Sequence, residues 1–453
     1  MSAPSSSSPT AALAEYGLGL KLTDVPAEVL DRAKLLILDT LGVAFAAYPE
    51  RIGQMIVAYV RDLDARPSAT ILGAGLRTAP SLAALANGTL TAALDYDAGF
   101  HITTHVVPAA LALGESRQAS GAQVLEAVVA GYEIGARLTE ILDADRAVGG
   151  GVTARGWYHV GLVAPLVCAV VAGKLLGLSL PQTTNAMGIA ATGAGGVRRN
   201  FGTMAKQYQA GNGASQGVQA ALLAQRGFGG DPAILEAPLA LFEALGVDAG
   251  ESASRALRKL GNQYELLASL RIKRFPACTP AHAPVQALLD AKRRHGFEPQ
   301  DVEAIEADLH TFSLLRLDPP DEVAPGFSLP YLLSAALVYG DLTLEQLSPE
   351  RVHDARIRAV MARVRGVSDS RPTGREESAE TVTIRLRDGR VVTGRATRVD
   401  RLDTPEEILA KFRACADLVL PTPQARRLEE TLLKIEEHAT VAEIMADVAP
   451  HHA

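Results

Sequence analysis

The chain is poor in several features, and each shortage narrows what it can be. Among 453 residues there are three cysteines, Cys168, Cys278 and Cys415. They are far apart and odd in number, which argues against a disulfide framework and fits a reducing compartment. They also lack the close spacing of iron–sulfur or structural zinc sites, which excludes a cluster-dependent hydratase. A basic excess is missing too. The formal charge is −7, which offers no footprint for nucleic acid or an anionic membrane. The longest apolar run, GLVAPLVCAVVAG (161–173), stops at Lys174, short of the roughly 18–20 residues that a membrane span needs. The opening MSAPSSSSPTAA has no basic stretch followed by an apolar core, so residues 1–14 read as a disordered leader, not a signal peptide. A cytoplasmic protein is expected.

A hydrophobic content of 48% with 21% charge is that of a globular protein with a sizeable core. From about Pro26 to Leu267 apolar residues recur at helical spacing, as in AEVLDRAKLLILDTLGVAFAAY and GAQVLEAVVAGYEIGARLTEIL. Near residue 268 the pattern changes. LLASLRIKRFPAC and VEAIEADLHTFSLLRL alternate, and ETVTIRLRDGRVVTGRATRV is a hairpin signal turning through Asp388-Gly389. After Asp403 helical periodicity returns, and the chain ends in a polar tail. The expected fold class is mainly α. A large all-helical domain is formed by residues 15–267 and 403–453, with a smaller α+β lid domain over 268–402.

Five stretches hold more polar chemistry than a core requires. LDYDAGFHITTHVVPA (94–109) sets Asp95, Asp97, His101 and His105 around a glycine. That density suits a metal site, an acid/base site or a solvated helix end. His101 and His105, four apart, would share a helix face. GWYHVG (156–161) places the only tryptophan beside Tyr158 and His159. RRNFGTMAKQYQAGNGASQG (198–217) combines Arg198, Arg199 and Lys206 with Gly202, Gly211, Gly213 and Gly217. Read as a segment between helices, it would let backbone amides approach an anion. KRFPACTPAHAP puts His282 where a strand gives way to a helix, and PGFSLPYLL puts Tyr331 at a helix start.

In this order the motifs resemble those of the MmgE/PrpD family, over about residues 10–440. LDYDAGFHITTHVVPAALALGE is similar to the family's LDFDDT…H-P stretch, and RNFGTMAKQYQAGNGASQG to its G-T-M-x-K segment. RFPACTPAHAP resembles its F/Y-P…H segment, and FSLPYLLSAALVYG its F-S-x-x-Y helix. The resemblance implies a helical domain with an α+β lid, a homodimer, and activity without metal or organic cofactor. It also implies active-site roles for Asp95, His105, Lys206, His282 and Tyr331. Three positions depart from the family pattern. Ala98 and Gly99 stand where the family has a second acid and a threonine. Tyr158 stands where it has a histidine, with His159 one place later.

The family's activities include 2-methylcitrate dehydration, cis-aconitate decarboxylation and iminodisuccinate epimerisation. All make or break a bond at a carbon next to a carboxylate, which calls for cationic clamps and a positioned acid/base. By the resemblance Lys206 holds a substrate carboxylate, and His105 moves the proton with Asp95 orienting it. Tyr158 and His282 face each other across the pocket, and Tyr331 reaches in from the lid. Further substrate contacts are expected from His101, His159, Arg199, Gly99 and Gly202. The leading expectation is a metal-free lyase of small di- or tricarboxylic acids with dehydratase-like elimination. Epimerisation, decarboxylation and a non-catalytic carboxylate- or protein-binding role are the alternatives.

Overall fold

The computed structural model describes residues 8–144, 151–268, 270–308, 324–367, 380–396, 401–402 and 404–450. The protein is mainly helical, with a smaller α+β part. Apolar packing marks the division. One core takes in residues from Leu13 to Ile272 and resumes from Leu402 to Val448. A second core takes in residues from Phe275 to Val392. Where the chain leaves the first core and returns to it, Ile272–Lys273 pairs antiparallel with Arg401–Leu402.

The first helix starts earlier than the leader reading allows. In Pro9–Gly19 the Ser8 hydroxyl accepts the Ala11 N–H, and Pro9 occupies the first turn, where a missing N–H costs no hydrogen bond. Thr10, Ala12, Leu13 and Ala14 are buried, and Thr10 Oγ1 donates to Glu236 at 2.6 Å. The expected leader is therefore corrected from Pro9 onward, and residues 1–7 lie outside the described residues. At the other end, Val441–Met445 is helical and buries Val441, Ile444 and Met445. Gln424 Nε2 donates to the Asp447 and Ala449 carbonyls, so the polar tail is packed.

The glycine-rich segment is not a loop. Met204–Gln225 is one helix with Gly211, Gly213 and Gly217 inside it. A helix-interior glycine costs about 1 kcal/mol relative to alanine, and close crossing explains its presence here. A Cβ added at Gly211 would lie 2.2 Å from Leu85 O and 2.4 Å from Thr89 Oγ1. One at Gly213 would lie 2.5 Å from Ala164 Cβ, and one at Gly217 2.5 Å from Cys168 Cβ. These glycines let the helix meet Pro80–Ala93 on one side and His159–Leu176 on the other, backbone against backbone. The crossing fixes Lys206, in the first turn, above the end of Pro80–Ala93. The expected cradle of glycines between helices is corrected, because three of the four lie inside this helix, and only Gly202 (φ 77°) lies just ahead of it.

His159–Leu176 has 18 residues and a mean hydropathy of 1.9, enough by length and composition to cross a membrane, yet 78% of it is buried inside the protein. It is a central core helix.

The α+β part holds a four-stranded sheet in the order Val364–Val367, Val302–Asp308, Glu380–Leu386, Val391–Ala396. The first pair is parallel and the others antiparallel. The hairpin pairs Ile384 with Val392 and turns through Gly389 at φ 89°. Val382, Ile384 and Leu386 are buried, the period of two expected of a half-buried strand. His282–His295 covers the sheet, so close that a Cβ at Gly394 would lie 2.2 Å from Ala287 O. The alternation in VEAIEADLHTFSLLRL is a strand as far as Asp308, and its remainder lies outside the described residues.

Gly211→Val should lower unfolding free energy by about 1–3 kcal/mol or more through overpacking. Gly229→Ala, where a Cβ meets nothing within 4 Å, should change it by less than about 0.5 kcal/mol. Urea titration measures both, and equal midpoints would contradict the close crossing.

Candidate active site

The stretch that follows Pro80–Ala93 is built of unusual backbone. Asp95, Phe100 and His101 have φ values of 49°, 65° and 58°, the left-handed region that non-glycine residues avoid at a cost of about 1–3 kcal/mol each. Side-chain bonds hold them there. Lys273 Nζ donates to both the backbone carbonyl and Oδ1 of Asp95, each at 2.8 Å. His101 Nδ1 meets Asp97 Oδ2 at 2.8 Å. His159 Nε2 reaches Phe100 O at 3.2 Å.

Asp95 Oδ1 also accepts from Lys206 Nζ at 3.0 Å, and His101 Nε2 lies 3.6 Å away. Both lysines and the carboxylate are buried. Burial alone would raise the Asp95 pKa. The Lys206 and Lys273 charges, with His101, override it and hold the carboxyl far below the usual carboxylate range. Asp97 is lowered in the same way, burial being outweighed by His101 and Lys273. The imidazoles move the other way. Burial, with His159 and His101, takes His105 down to about 3. Burial and then Lys273 take His282 to about 3 as well. Burial, followed by Asp95 and Asp97, pushes the Tyr158 phenol well above 10. At neutral pH the centre therefore holds ionised acids, neutral His105 and His282 and a protonated phenol.

Tyr158 packs at the middle of these groups. Its ring lies 6.2 Å from His101, 5.1 Å from His159 and 5.0 Å from Phe201, centroid to centroid. Lys206 Nζ stands 5.7 Å from the Tyr158 ring and 5.6 Å from that of Phe327, which comes from the α+β part. Such cation–π contacts offset part of the cost of burying an ammonium. His105, on Thr103–Arg117, is fully enclosed. Neither of its ring nitrogens makes a hydrogen bond of ordinary geometry, although the His101 carbonyl lies near enough to favour protonation slightly. His282 starts His282–His295 and donates from Nε2 to Ala277 O at 3.2 Å. A cleft of about 610 Å³, counted with its solvent-filled mouth, is lined by Asp95, Gln207, Pro276 and Phe327, from both parts of the chain.

Two expected members stand apart. Tyr331 is turned into the core of the α+β part, where its hydroxyl donates to the Gln346 carbonyl, so it does not reach in from the lid. Arg199 is exposed, while its neighbour Arg198 lies 5.4 Å from the Phe201 ring. The shared helix face for His101 and His105 is also corrected, because His101 lies before Thr103–Arg117 in left-handed backbone. Asp95, Asp97 and His101 do present ligand-type atoms within 4.8 Å of one another. A divalent cation bound there would confront two lysines on one oxygen of Asp95, so the donor set fits a metal poorly.

Lys273 is the member that sequence reasoning passed over. It sits in an alternating strand, where a lysine ordinarily marks the solvent face. Its only local signal is its place two residues before the Phe275-Pro276 break. Beneath it a second buried pair braces the same loop. Lys411 meets Asp39 at 2.7 Å and donates to Tyr96 O at 2.6 Å and Lys273 O at 3.1 Å.

A buried carboxylate between two lysines, among imidazoles and a phenol, is chemically able to place cations and proton-transfer groups beside an anion. Family models agree with that architecture. The MmgE/PrpD N-terminal domain matches residues 11–250 and the MmgE/PrpD C-terminal domain residues 275–437. The chain belongs to the MmgE/PrpD family. It is 26% identical to a cis-aconitate decarboxylase-like protein of Aspergillus oryzae over 96% of each chain. It is 27% identical to the cis-aconitate decarboxylase of Mus musculus, over 92% of this chain and 89% of the relative. With the 2-methylcitrate dehydratase of Escherichia coli the identity is also 27%, over 61% of this chain and 62% of the relative.

Lys273→Met should lower stability by about 3–5 kcal/mol at pH 7, because it removes one cation from a buried carboxylate. An unchanged urea midpoint would contradict the pairing. His105 gives a pH prediction. Its folded pKa near 3 lies below an unfolded value of about 6.5, so the unfolded chain binds more protons between the two. Its contribution to stability is complete above pH 6.5 and falls as the pH drops towards 3. Nitrogen-15 NMR of labelled histidines should show His105 neutral at pH 5, and an imidazolium signal there would contradict its enclosure.

Proposed function

We propose that this protein is a lyase of small di- or tricarboxylic acids, and that its reaction is decarboxylation. The observation that carries the choice is the pattern of protonation. Loss of a hydroxyl group calls for an acid strong enough to protonate it as it departs. Here Asp95 and Asp97 are held ionised and His105 and His282 neutral, which makes ammonium and phenol the leading proton sources. Those weak acids suffice to protonate a carbanion. Similarity to cis-aconitate decarboxylases along nearly the whole chain supports the same choice. It moves decarboxylation ahead of the elimination expected first from sequence. Dehydration is the second reading, favoured by the similarity to 2-methylcitrate dehydratase.

In this reading Lys206 and Lys273 hold the carboxylates of an unsaturated acid, with Asp95 fixing both ammoniums. The C–C bond to one carboxylate breaks, carbon dioxide leaves, and the electron pair passes into the alkene conjugated with a second carboxylate. The cations stabilise that dienolate. A proton then reaches carbon through His105, which takes it at one ring nitrogen and gives it from the other, with Tyr158 or Lys206 as the source. Water reprotonates the donor. The chemistry uses no metal or organic cofactor. We further propose a cytoplasmic protein with no nucleic-acid or membrane partner, supported by three free, buried thiols and the acidic net charge, and a homodimer, which rests on the family resemblance alone.

Incubation with cis-aconitate and with 2-methylcitrate in deuterium oxide, followed by proton NMR, tests the reading. The expected result is carbon dioxide release from cis-aconitate with one deuteron gained at carbon, unaffected by a chelator. His105→Ala should slow it by about 10²–10⁴-fold with circular dichroism unchanged. Water loss from 2-methylcitrate with cis-aconitate left intact would replace decarboxylation by dehydration. Turnover abolished by chelation and restored by a divalent ion would overturn the metal-free mechanism.

A further inference from the structure

The cleft at the active centre has walls that the mechanism leaves unexplained. Its lining takes Ile52, Leu94 and Leu418 from the helical body and Phe327, Leu344 and Leu347 from the α+β part. The charged residues on it are Asp95 and Glu50, both acidic, and no lysine or arginine among the described residues lines it. The cations stand only at its inner end, where the buried Lys206 and Lys273 meet Asp95. Gln207 and Ser348 are its remaining polar side chains, and Gln207 Nε2 donates to the Ala93 carbonyl.

Two of these leucines belong to neither apolar core. Leu418, just past the helix Pro405–Ala416, is 57% exposed, although Val419 and Leu420 beside it pack into the helical core. Leu344 opens the short turn Leu344–Leu347 and is half-buried, whereas Leu347 at its end packs into the α+β core. A single exposed leucine needs no explanation, but apolar side chains that continue a concave space outward from an active centre do. A substrate carboxylate finds cations at the Asp95 end alone. Farther along the walls it would exchange water for hydrocarbon, beside the acidic Glu50 and with no positive charge to compensate. What those walls match is an aliphatic group.

We infer that this cleft holds an alkyl chain of the substrate, and that the acid this protein acts on carries an unbranched aliphatic substituent longer than methyl. The inference rests on the carboxylate-lyase reading above and narrows it. The carboxylates sit at Lys206 and Lys273, and the chain lies along Leu94, Ile52, Leu344 and Leu418. Its burial supplies binding energy away from the reacting carbons, where the walls offer no charge to hold a further anionic group.

Calorimetric titration of the full chain with methylsuccinate and with butylsuccinate, unreactive dicarboxylic acids that differ only in chain length, tests this. Each methylene taken out of water tightens binding about threefold, so butylsuccinate should bind about 30-fold more tightly. Leu344→Gln combined with Leu418→Gln puts amides on the wall at two positions that are not fully buried, and should cut that advantage to less than about tenfold. Leu418→Gln alone, at the exposed position, carries this part of the test if the pair misfolds, and should lower the advantage in the same direction. Equal affinity for the two acids overturns the inference. So does an advantage that these variants leave undiminished, since the chain would then lie elsewhere. Lys206→Ala separates the two levels. If it weakens both acids while chain length has no effect, the aliphatic site alone fails. If it leaves both affinities unchanged, or if neither acid binds the unaltered protein, the carboxylate reading fails and takes the inference with it.

Discussion

The Asp95 carboxylate, held between the ammoniums of Lys206 and Lys273, is the interaction on which the rest of the site depends. Taking charged groups out of water costs several kcal/mol each, so the cluster persists only because each charge meets its opposite at hydrogen-bond distance. The three residues come from three separate parts of the chain, the end of one helix, the first turn of another and a two-residue strand. The same bonds hold Asp95 in left-handed backbone and, through His101 and Asp97, constrain the residues that follow. Strain, burial and charge thus meet at one loop, a pattern typical of working sites.

That loop can be positioned because of what lies under it. The glycines of Met204–Gln225 bring its axis close to two neighbouring helices, which sets where Lys206 projects. The Lys411–Asp39 pair ties the returning C-terminal segment to the carbonyls of Tyr96 and Lys273. A helical body assembled from both chain ends is therefore more than an economy of topology. Its last segment braces the strand that carries Lys273.

Much of this was legible in the sequence. Helical periodicity and the Asp388-Gly389 turn pointed to the mainly helical fold with an α+β part. The dense stretch around Asp95 and the segment around Lys206 marked the centre, because acids, imidazoles and a lysine in apolar surroundings are rarely structural. What stayed hidden depends on long-range packing. Lys273 looked like the solvent face of a strand because nothing local shows that the face is buried against Asp95. Gly211, Gly213 and Gly217 looked like a loop because a helix–helix crossing is invisible until its partner is known. The Ser/Pro/Ala opening looked disordered, although its last part supplies a cap, a first-turn proline and buried alanines. Tyr331 fits its motif, yet here its hydroxyl faces Gln346.

The central claim is electrostatic: Asp95 stays ionised because two lysines share it. Infrared difference spectroscopy of aspartate labelled with carbon-13, comparing the protein with Asp95→Asn, reads that state directly. The account predicts an ionised carboxylate band for Asp95 that persists unchanged from pH 7 to pH 4. A protonated carboxyl band for Asp95 growing in over that range would contradict it.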